Sequence, residues 1–227
     1  MSVSAGIELG RERLQARSTR VALALALTFE LGVALLERAA GRSGAADRAL
    51  TGGTFGVALP LVCYFLVGQL TTGKSLREAL VPLSRHGLDR QSLSFGLALP
   101  AALVAAVFAG LSSCLVVLVT RGAGDPALGP DLFTSLWIGL VAGPAYTAAF
   151  VGASAYGRRG QGRGWLLAAD FLLGAGTSVL AFPWPKGHVR NLLGGAAVLE
   201  LSWLGALVAL LGTSFAFLWF GVARNRR

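Results

Sequence analysis

Long apolar stretches separated by short polar segments dominate the pattern of this chain. Residues 91–120, 132–157 and 201–223 contain no charged side chain. Each of these stretches is long enough to cross a bilayer core of roughly 30 Å, which takes about 20 apolar residues in a helix. Three further apolar segments complete the pattern and give six membrane-spanning helices. The predicted spans cover residues 18–36, 50–70, 93–120, 132–156, 165–182 and 196–222.

Composition supports a chain that lies mostly within a membrane. Hydrophobic residues make up 54% of the chain and charged residues only 14%, against about 25% charged residues in a typical soluble domain. The formal net charge is +9, but the basic residues occupy short segments between apolar spans, and no nucleic-acid-binding motif accompanies them. We therefore predict an all-α integral membrane protein with the lipid bilayer, and no nucleic acid, as a partner. Cys63 and Cys114 lie in apolar segments without metal-site spacing, so free thiols and no metal or cofactor are expected.

The distribution of Lys and Arg predicts where the termini lie. Six spans place both termini on one side, and the positive-inside rule assigns the more basic side to the cytoplasm. The side of the termini holds 14 of the 20 Lys and Arg residues, and the opposite loops hold 6. The larger set is Arg11, Arg13, Arg17, Arg20, Lys74, Arg77, Arg85, Arg90, Arg158, Arg159, Arg163, Arg224, Arg226 and Arg227; the smaller set is Arg38, Arg42, Arg48, Arg121, Lys186 and Arg190. We therefore expect a multi-pass protein of the cell membrane with cytoplasmic termini and short loops.

The chain divides into an N-terminal segment and a membrane domain. Residues 1–17 intersperse Ile7, Leu9 and Leu14 with Arg and Glu residues. This pattern predicts either an elbow helix in the membrane interface or a disordered basic tail. Residues 18–227 are predicted to form the six-span domain.

The longest loop on the side of the termini carries a helix signal. Ser75 followed by Glu78 predicts a capping box, in which each side chain bonds the backbone N–H of the other residue. Leu76, Leu80 and Leu83 follow at helical spacing. We predict a short amphipathic helix over about residues 75–83, which is either a simple interfacial helix or a docking element for a cytoplasmic partner.

This loop resembles the coupling segment in the permease chains of two-component ATP-binding-cassette exporters. The residues that carry the resemblance are Gly73, Lys74, Ser75, Leu76, Arg77, Leu80, Pro82, Leu83, Ser84 and Arg85. The basic turn at 154–159 and the Pro- and Asn-containing segment at 183–191 are similar to the corresponding segments of such chains. Permeases of this family have a cytoplasmic elbow and six spans. They pair with themselves or a similar chain and bind two copies of a separate ATPase.

The resemblance implies a permease subunit of an exporter that has no catalytic residues of its own, because the partner chain hydrolyses ATP. It implies that the loop helix transmits ATPase closure to the spans. The residues expected to take part in this coupling are Gly73, Ser75, Leu76, Glu78, Leu80, Pro82, Ser84 and Arg85. Lipid, drug, peptide and polysaccharide substrates are all compatible with the pattern.

Three carboxylates fall within or at the ends of predicted spans. They are Glu30, Asp170 and Glu200. An intramembrane carboxylate is energetically costly, and each is therefore a candidate for a substrate path. For Glu30, function and structural pairing remain equal alternatives, whereas Asp170 could pair with Arg163 or reach the membrane interface.

Two other functional classes remain as alternatives. A membrane scaffold or assembly protein predicts that Glu30 and the loop helix serve packing only. An intramembrane enzyme predicts a cluster of catalytic side chains at one depth, which the sequence does not assemble. Residues 68–75 also match the phosphate-binding pattern G-x-x-x-x-G-K-[ST], but they follow an apolar span instead of a strand. We interpret them as a helix end, a turn and a capped helix.

Overall fold

The computed structural model describes residues 2–41, 43–122 and 127–224. Arg42, Arg226 and Arg227, which contribute to the charge balance, lie outside the described residues. Within the described ranges the chain is all-α and contains no strand. The α-helices are α1 (Ser2–Leu14), α2 (Arg17–Ala39), α3 (Ala45–Arg48), α4 (Leu59–Leu70), α5 (Leu76–Ser84), α6 (Arg90–Thr120), α7 (Leu128–Ala153), α8 (Gly162–Leu173), α9 (Pro185–Leu192) and α10 (Trp203–Arg224).

Several of these helices are long and apolar enough to cross a membrane. The described residues contain five such segments: Arg17–Ala39, Ala45–Leu70, Arg90–Thr120, Leu128–Ala153 and Trp203–Arg224. They correspond to the first four predicted spans and the sixth. The all-α class is therefore confirmed, and the five segments indicate a multi-pass membrane protein.

The prediction of one continuous helix over residues 165–182 is wrong. α8 ends at Leu173, and the chain passes through a 3₁₀ turn at Val179–Ala181 before α9 begins at Pro185. The 12 residues of α8 extend about 18 Å along the helix axis. This length is shorter than a bilayer core of roughly 30 Å.

The break after α8 has a local and a tertiary cause. Gly174 and Gly176 disfavour continuation of the helix because glycine loses the most backbone freedom on folding. Arg190 of α9 donates hydrogen bonds to the carbonyl groups of Ala175 and Gly176. These carbonyl groups therefore find partners outside a helix, which the apolar pattern of the segment could not reveal.

Small residues bring α6 and α7 into close contact at the centre of the bundle. Gly139 and Gly143 of α7 face the backbone of Ala109 and Ala105 of α6. A Cβ atom at Gly139 would lie 2.6 Å from the Ala109 backbone, and one at Gly143 would lie 2.5 Å from that of Ala105. Such small-xxx-small spacing lets membrane helices approach closely and gain van der Waals contact. These two helices therefore form the core against which the others pack.

The N-terminal segment is a helix packed on the start of α6. Gly6 and Gly10 of α1 are buried, and a Cβ atom at Gly6 would lie 2.6 Å from the carbonyl oxygen of Leu93. Residues 2–14 are therefore an integral part of the bundle and not a separate tail. This contact positions the end of α1 beside the loop helix α5.

Candidate functional site

The loop helix α5 begins with the predicted capping box. The Ser75 Oγ accepts a hydrogen bond from the Glu78 backbone N–H at 3.3 Å, and a Glu78 carboxylate oxygen accepts one from the Ser75 N–H at 3.1 Å. Gly73 has a φ of +72° in the preceding turn, a conformation that glycine adopts without steric cost. Residues 68–75, which match the phosphate-binding pattern, thus form the end of α4, a turn and a helix cap, as interpreted from the sequence.

The two faces of α5 differ in burial. Leu76, Ala79 and Leu80 are buried within the protein, and their exposed fractions are 0%, 3% and 0%. The outer face exposes Arg77, Glu78, Pro82 and Arg85, with Ser84 half-buried beside them. Leu76 and Leu80 therefore anchor the helix, and only the outer face is available to a partner.

Hydrogen bonds fasten the inner side of α5 to neighbouring elements. The Arg13 guanidinium of α1 donates to the carbonyl oxygen of Leu70 at the end of α4 and to that of Ala79 within α5. The Leu76 N–H donates to the Ser154 carbonyl oxygen, directly after α7, at 3.1 Å. Displacement of α5 would therefore move the ends of α1, α4 and α7 with it.

A second arginine joins α8 to the same region. Arg163 Nη1 donates to the Thr71 hydroxyl at 2.7 Å, and its guanidinium carbon lies 5.6 Å from the centre of the Tyr64 ring. The sequence assigned Arg13 only to the charge balance and considered Arg163, beyond its charge, only as a partner of Asp170. Their role as connectors depends on contacts between residues more than 50 positions apart, and no local pattern signals such contacts.

Glu30 lies in a buried polar group formed by three elements of the membrane domain. Its side chain is 1% exposed, and the hydroxyl groups of Thr54 and Ser112 are its polar neighbours. Both hydroxyl groups are buried as well. No described side chain lies within hydrogen-bonding geometry of either Glu30 carboxylate oxygen. Ser112 and Thr54 are the groups with which Glu30 would pair, and function and structural pairing both remain predictions for Glu30.

A π-helical segment brings Thr54 to this position. The segment covers Ala49–Ala58 and leads directly into α4. π-helical segments are rare in proteins overall, and those that occur are often found at functional sites. The sequence did not predict this segment, because its apolar residues fit an ordinary helix equally well.

Asp170 is a fully buried carboxylate with defined partners. One oxygen accepts a hydrogen bond from the Tyr146 hydroxyl at 3.2 Å, and the other accepts one from the Lys186 backbone N–H at 3.1 Å. The second bond satisfies a free N–H group in the first turn of α9. Asp170 thus connects α7, α8 and α9, and the pairing with Arg163 considered from the sequence is not observed, because Arg163 donates to Thr71.

Polar side chains of α9 satisfy the irregular backbone around it. Arg190 donates to the carbonyl oxygens of Gly176 and Ala196, and Asn191 donates to that of Leu201. His188 Nε2 lies 2.7 Å from the Phe182 carbonyl oxygen. Non-helical backbone at membrane depth requires partners of this kind inside the protein.

Glu200 is separate from these groups. It is exposed in a 3₁₀ turn between α9 and α10 and has a φ of +56°. Among the described residues, no three His, Cys, Asp or Glu side chains come together. Glu30, Asp170 and Glu200 therefore do not form one common site.

The intramembrane-enzyme alternative would need a nucleophile such as a serine that is activated by a histidine, and Ser154, directly after α7, forms no hydrogen bond with a histidine. Its hydroxyl donates to the Val151 carbonyl oxygen at 2.7 Å, and His188 is engaged with the Phe182 carbonyl oxygen. His86 is exposed after α5. Nucleophilic catalysis requires a base within hydrogen-bond reach of the nucleophile, so the geometry of this serine does not favour the intramembrane enzyme.

Comparison with known proteins gives no family or function for this chain, so a functional proposal must rest on the geometry described above. No model of a protein family matches the chain, and no curated protein matches it.

Glu30 and Asp170 should respond oppositely to replacement by leucine. We expect Glu30→Leu to retain or raise thermal stability, because neither carboxylate oxygen meets a described donor at regular hydrogen-bond geometry and burial of a poorly paired carboxyl group costs free energy that an apolar side chain avoids. Asp170→Leu should lower stability, since it leaves two donors unpaired. The measurement is the melting temperature of the detergent-solubilised chain. A large loss for Glu30→Leu would instead assign Glu30 a structural role.

Proposed function

We propose that this chain is the membrane-spanning permease subunit of an ATP-driven ABC exporter. It works with a separate ATPase chain and pairs with a second copy of itself or a similar permease. The observation that carries the proposal is the capped loop helix α5, whose inner face is buried and whose outer face exposes Arg77, Glu78, Pro82 and Arg85. ATP hydrolysis belongs to the partner chain in this proposal.

The hydrogen bonds around α5 support a coupling role. A partner that pushes on the outer face would act on α1 and α4 through Arg13 and on the end of α7 through the bond from Leu76 to Ser154. α7 packs closely on α6 through Gly139 and Gly143. The movement would therefore reach the centre of the bundle, as alternating access requires.

The proposed topology has six crossings and cytoplasmic termini. The fifth crossing consists of α8 followed by the irregular segment at 174–184, and α9 returns part of the way as a short helix. The hydrogen bonds that satisfy the segment after α8 support this arrangement, because α8 alone is too short to cross the bilayer core. The excess of Lys and Arg at the α5 end supports a cytoplasmic location for that end.

Among the three intramembrane candidates, Glu30 fits a substrate path best. Its carboxylate has polar neighbours on two other elements, and neither of its oxygens meets a described donor at the distance and angle of a regular hydrogen bond. Asp170 is held by two hydrogen bonds and fits a structural role. Glu200 is exposed beyond the helices, outside any path through the bundle.

Affinity purification of the tagged chain from its native membrane tests the proposal. We expect a soluble ATPase to accompany the wild-type chain in stoichiometric amount. Arg85→Glu should reduce the recovered ATPase at least about tenfold, because reversal of an exposed charge at the centre of an interface costs more than about 1.4 kcal/mol. Mass spectrometry of the eluate measures the ratio of the two chains.

Arg121→Glu is the matched control, since it makes the same charge change after α6, at the opposite end of that helix from α5. It should leave ATPase recovery unchanged. A wild-type chain that purifies without any ATPase, even after crosslinking, would refute the permease assignment. That result would favour the membrane scaffold, in which α5 serves packing only.

A further inference from the structure

An apolar cavity opens between the ends of α7, α8 and α10. Its volume is about 480 Å³, which is within the range of small-molecule sites. Its aromatic lining residues are Tyr156, Trp165, Trp184, Phe217 and Phe220. Trp184 stacks on Phe217 with ring centres 6.3 Å apart, and these two rings form part of the inner wall. Trp165 and Phe220 are exposed on the outer surface of the helices, which is the side that faces lipid.

A basic cavity adjoins the apolar one at the α5 end of the bundle. Arg77, Tyr156, Phe220, Ala223 and Arg224 line this second cavity, whose volume is about 520 Å³. Tyr156 and Phe220 line both cavities, so the two spaces share a wall. The Arg224 guanidinium carbon lies 4.9 Å from the centre of the Tyr156 ring. This contact holds a positive charge at the boundary between the two cavities.

The dimensions match a molecule with an anionic head and an apolar chain. Seven positions of α10 separate Phe217 from Arg224, which corresponds to about 10 Å along the helix axis. Among the described residues, no carboxylate lines either cavity. Basic pockets beside membrane helices attract anionic lipid head groups. A soluble anion would use the basic cavity but would leave the aromatic one empty.

We propose that the joined cavities bind an anionic phospholipid of the surrounding bilayer. The phosphate lies between Arg77 and Arg224, and one acyl chain lies in the aromatic cavity against Trp184 and Phe217. Because Arg77 belongs to α5, the bound lipid connects α5 to the end of α10. This site is independent of the proposed transport function, since it requires only a chain folded in a membrane.

Tryptophan fluorescence offers a direct test because Trp165 and Trp184 line the apolar cavity. The full chain is reconstituted in phosphatidylcholine vesicles that contain a minor fraction of brominated phosphatidylglycerol or brominated phosphatidylcholine, whose bromine atoms quench nearby tryptophans. We expect stronger quenching by the anionic lipid. Arg224→Gln should lower the relative binding constant of the anionic lipid about fivefold, which corresponds to about 1 kcal/mol for one basic residue at an anionic surface.

Matched variants distinguish the effect of losing a positive charge in the cavity from a general effect on the folded structure. Arg85→Gln removes a charge directly after α5, outside both cavities, and should leave the preference unchanged, and Arg224→Lys should retain most of it. Ala169→Phe fills the apolar cavity and should reduce quenching by the brominated anionic lipid. Equal quenching of the wild-type chain by both lipids, or equal losses in Arg224→Gln and Arg85→Gln, would overturn the proposal. Displacement by inorganic phosphate at constant ionic strength would assign the site to a free anion and would overturn it as well.

Discussion

Leu80→Asp is expected to prevent the chain from reaching its folded state. Leu80 is 0% exposed on the inner face of α5, and the substitution removes a buried apolar side chain and introduces a carboxylate without a partner. Loss of a buried leucine costs about 2–5 kcal/mol, and an unpaired charge adds to this cost. We expect the loss of a monodisperse peak in size-exclusion chromatography of the detergent-solubilised chain.

Arg85→Asp is the matched control because it introduces the same side chain on the exposed face of the same loop. Its effect on stability should remain within about 0.5 kcal/mol, as is usual for surface substitutions. The pair also separates folding from docking: both variants should lose a bound ATPase, but only Leu80→Asp should lose the fold. A Leu80→Asp chain as stable as Arg85→Asp would contradict the packing of α5 against the bundle.

Asp170→Ala is expected to produce the second large loss of stability. The substitution leaves the Tyr146 hydroxyl and the Lys186 N–H without the acceptor that each has now. A buried donor without a partner costs about 1–3 kcal/mol, so the total loss should be about 3 kcal/mol. The effect should appear as a lower melting temperature of the detergent-solubilised chain.

Two further variants show how much of this loss of stability comes from the individual interactions of Asp170. Tyr146→Phe removes one donor together with its bond to Asp170 and should cost only about 1 kcal/mol. Glu200→Ala removes an exposed carboxylate and should change stability by less than about 0.5 kcal/mol. Equal stability of Asp170→Ala and Glu200→Ala would show that the Asp170 hydrogen bonds do not hold α8 and α9 together.

The apolar pattern predicts most of the membrane helices because length and hydrophobicity are local properties of a segment. Residues 93–120 were predicted as a span, and α6 covers Arg90–Thr120. The same pattern wrongly predicted one continuous helix over 165–182. Arg190 lies beyond this segment and donates hydrogen bonds to two of its carbonyl groups, which the apolar pattern of the segment cannot indicate. A hydrogen bond from a later helix can end an apolar helix that the local sequence would continue.

In the candidate site, too, local features could be predicted from the sequence and long-range contacts could not. Ser75 and Glu78 are three positions apart, so their capping box could be predicted and is observed. Leu76 and Leu80 were placed in the coupling set on the basis of resemblance, but only the structure shows that they face inward. Periodicity defines the apolar face of a helix, but it does not say whether that face contacts the protein itself or a partner.

By itself, the sequence determined the all-α class, the apolar segments and the capped loop helix, because each depends on residues close together in the chain. The tertiary structure decided which polar groups meet. It brings Glu30 to Thr54 and Ser112, connects Asp170 to α7 and α9, and fastens α5 through Arg13. These contacts join residues far apart in the chain, and their geometry follows from how closely the helices pack, which no local pattern specifies.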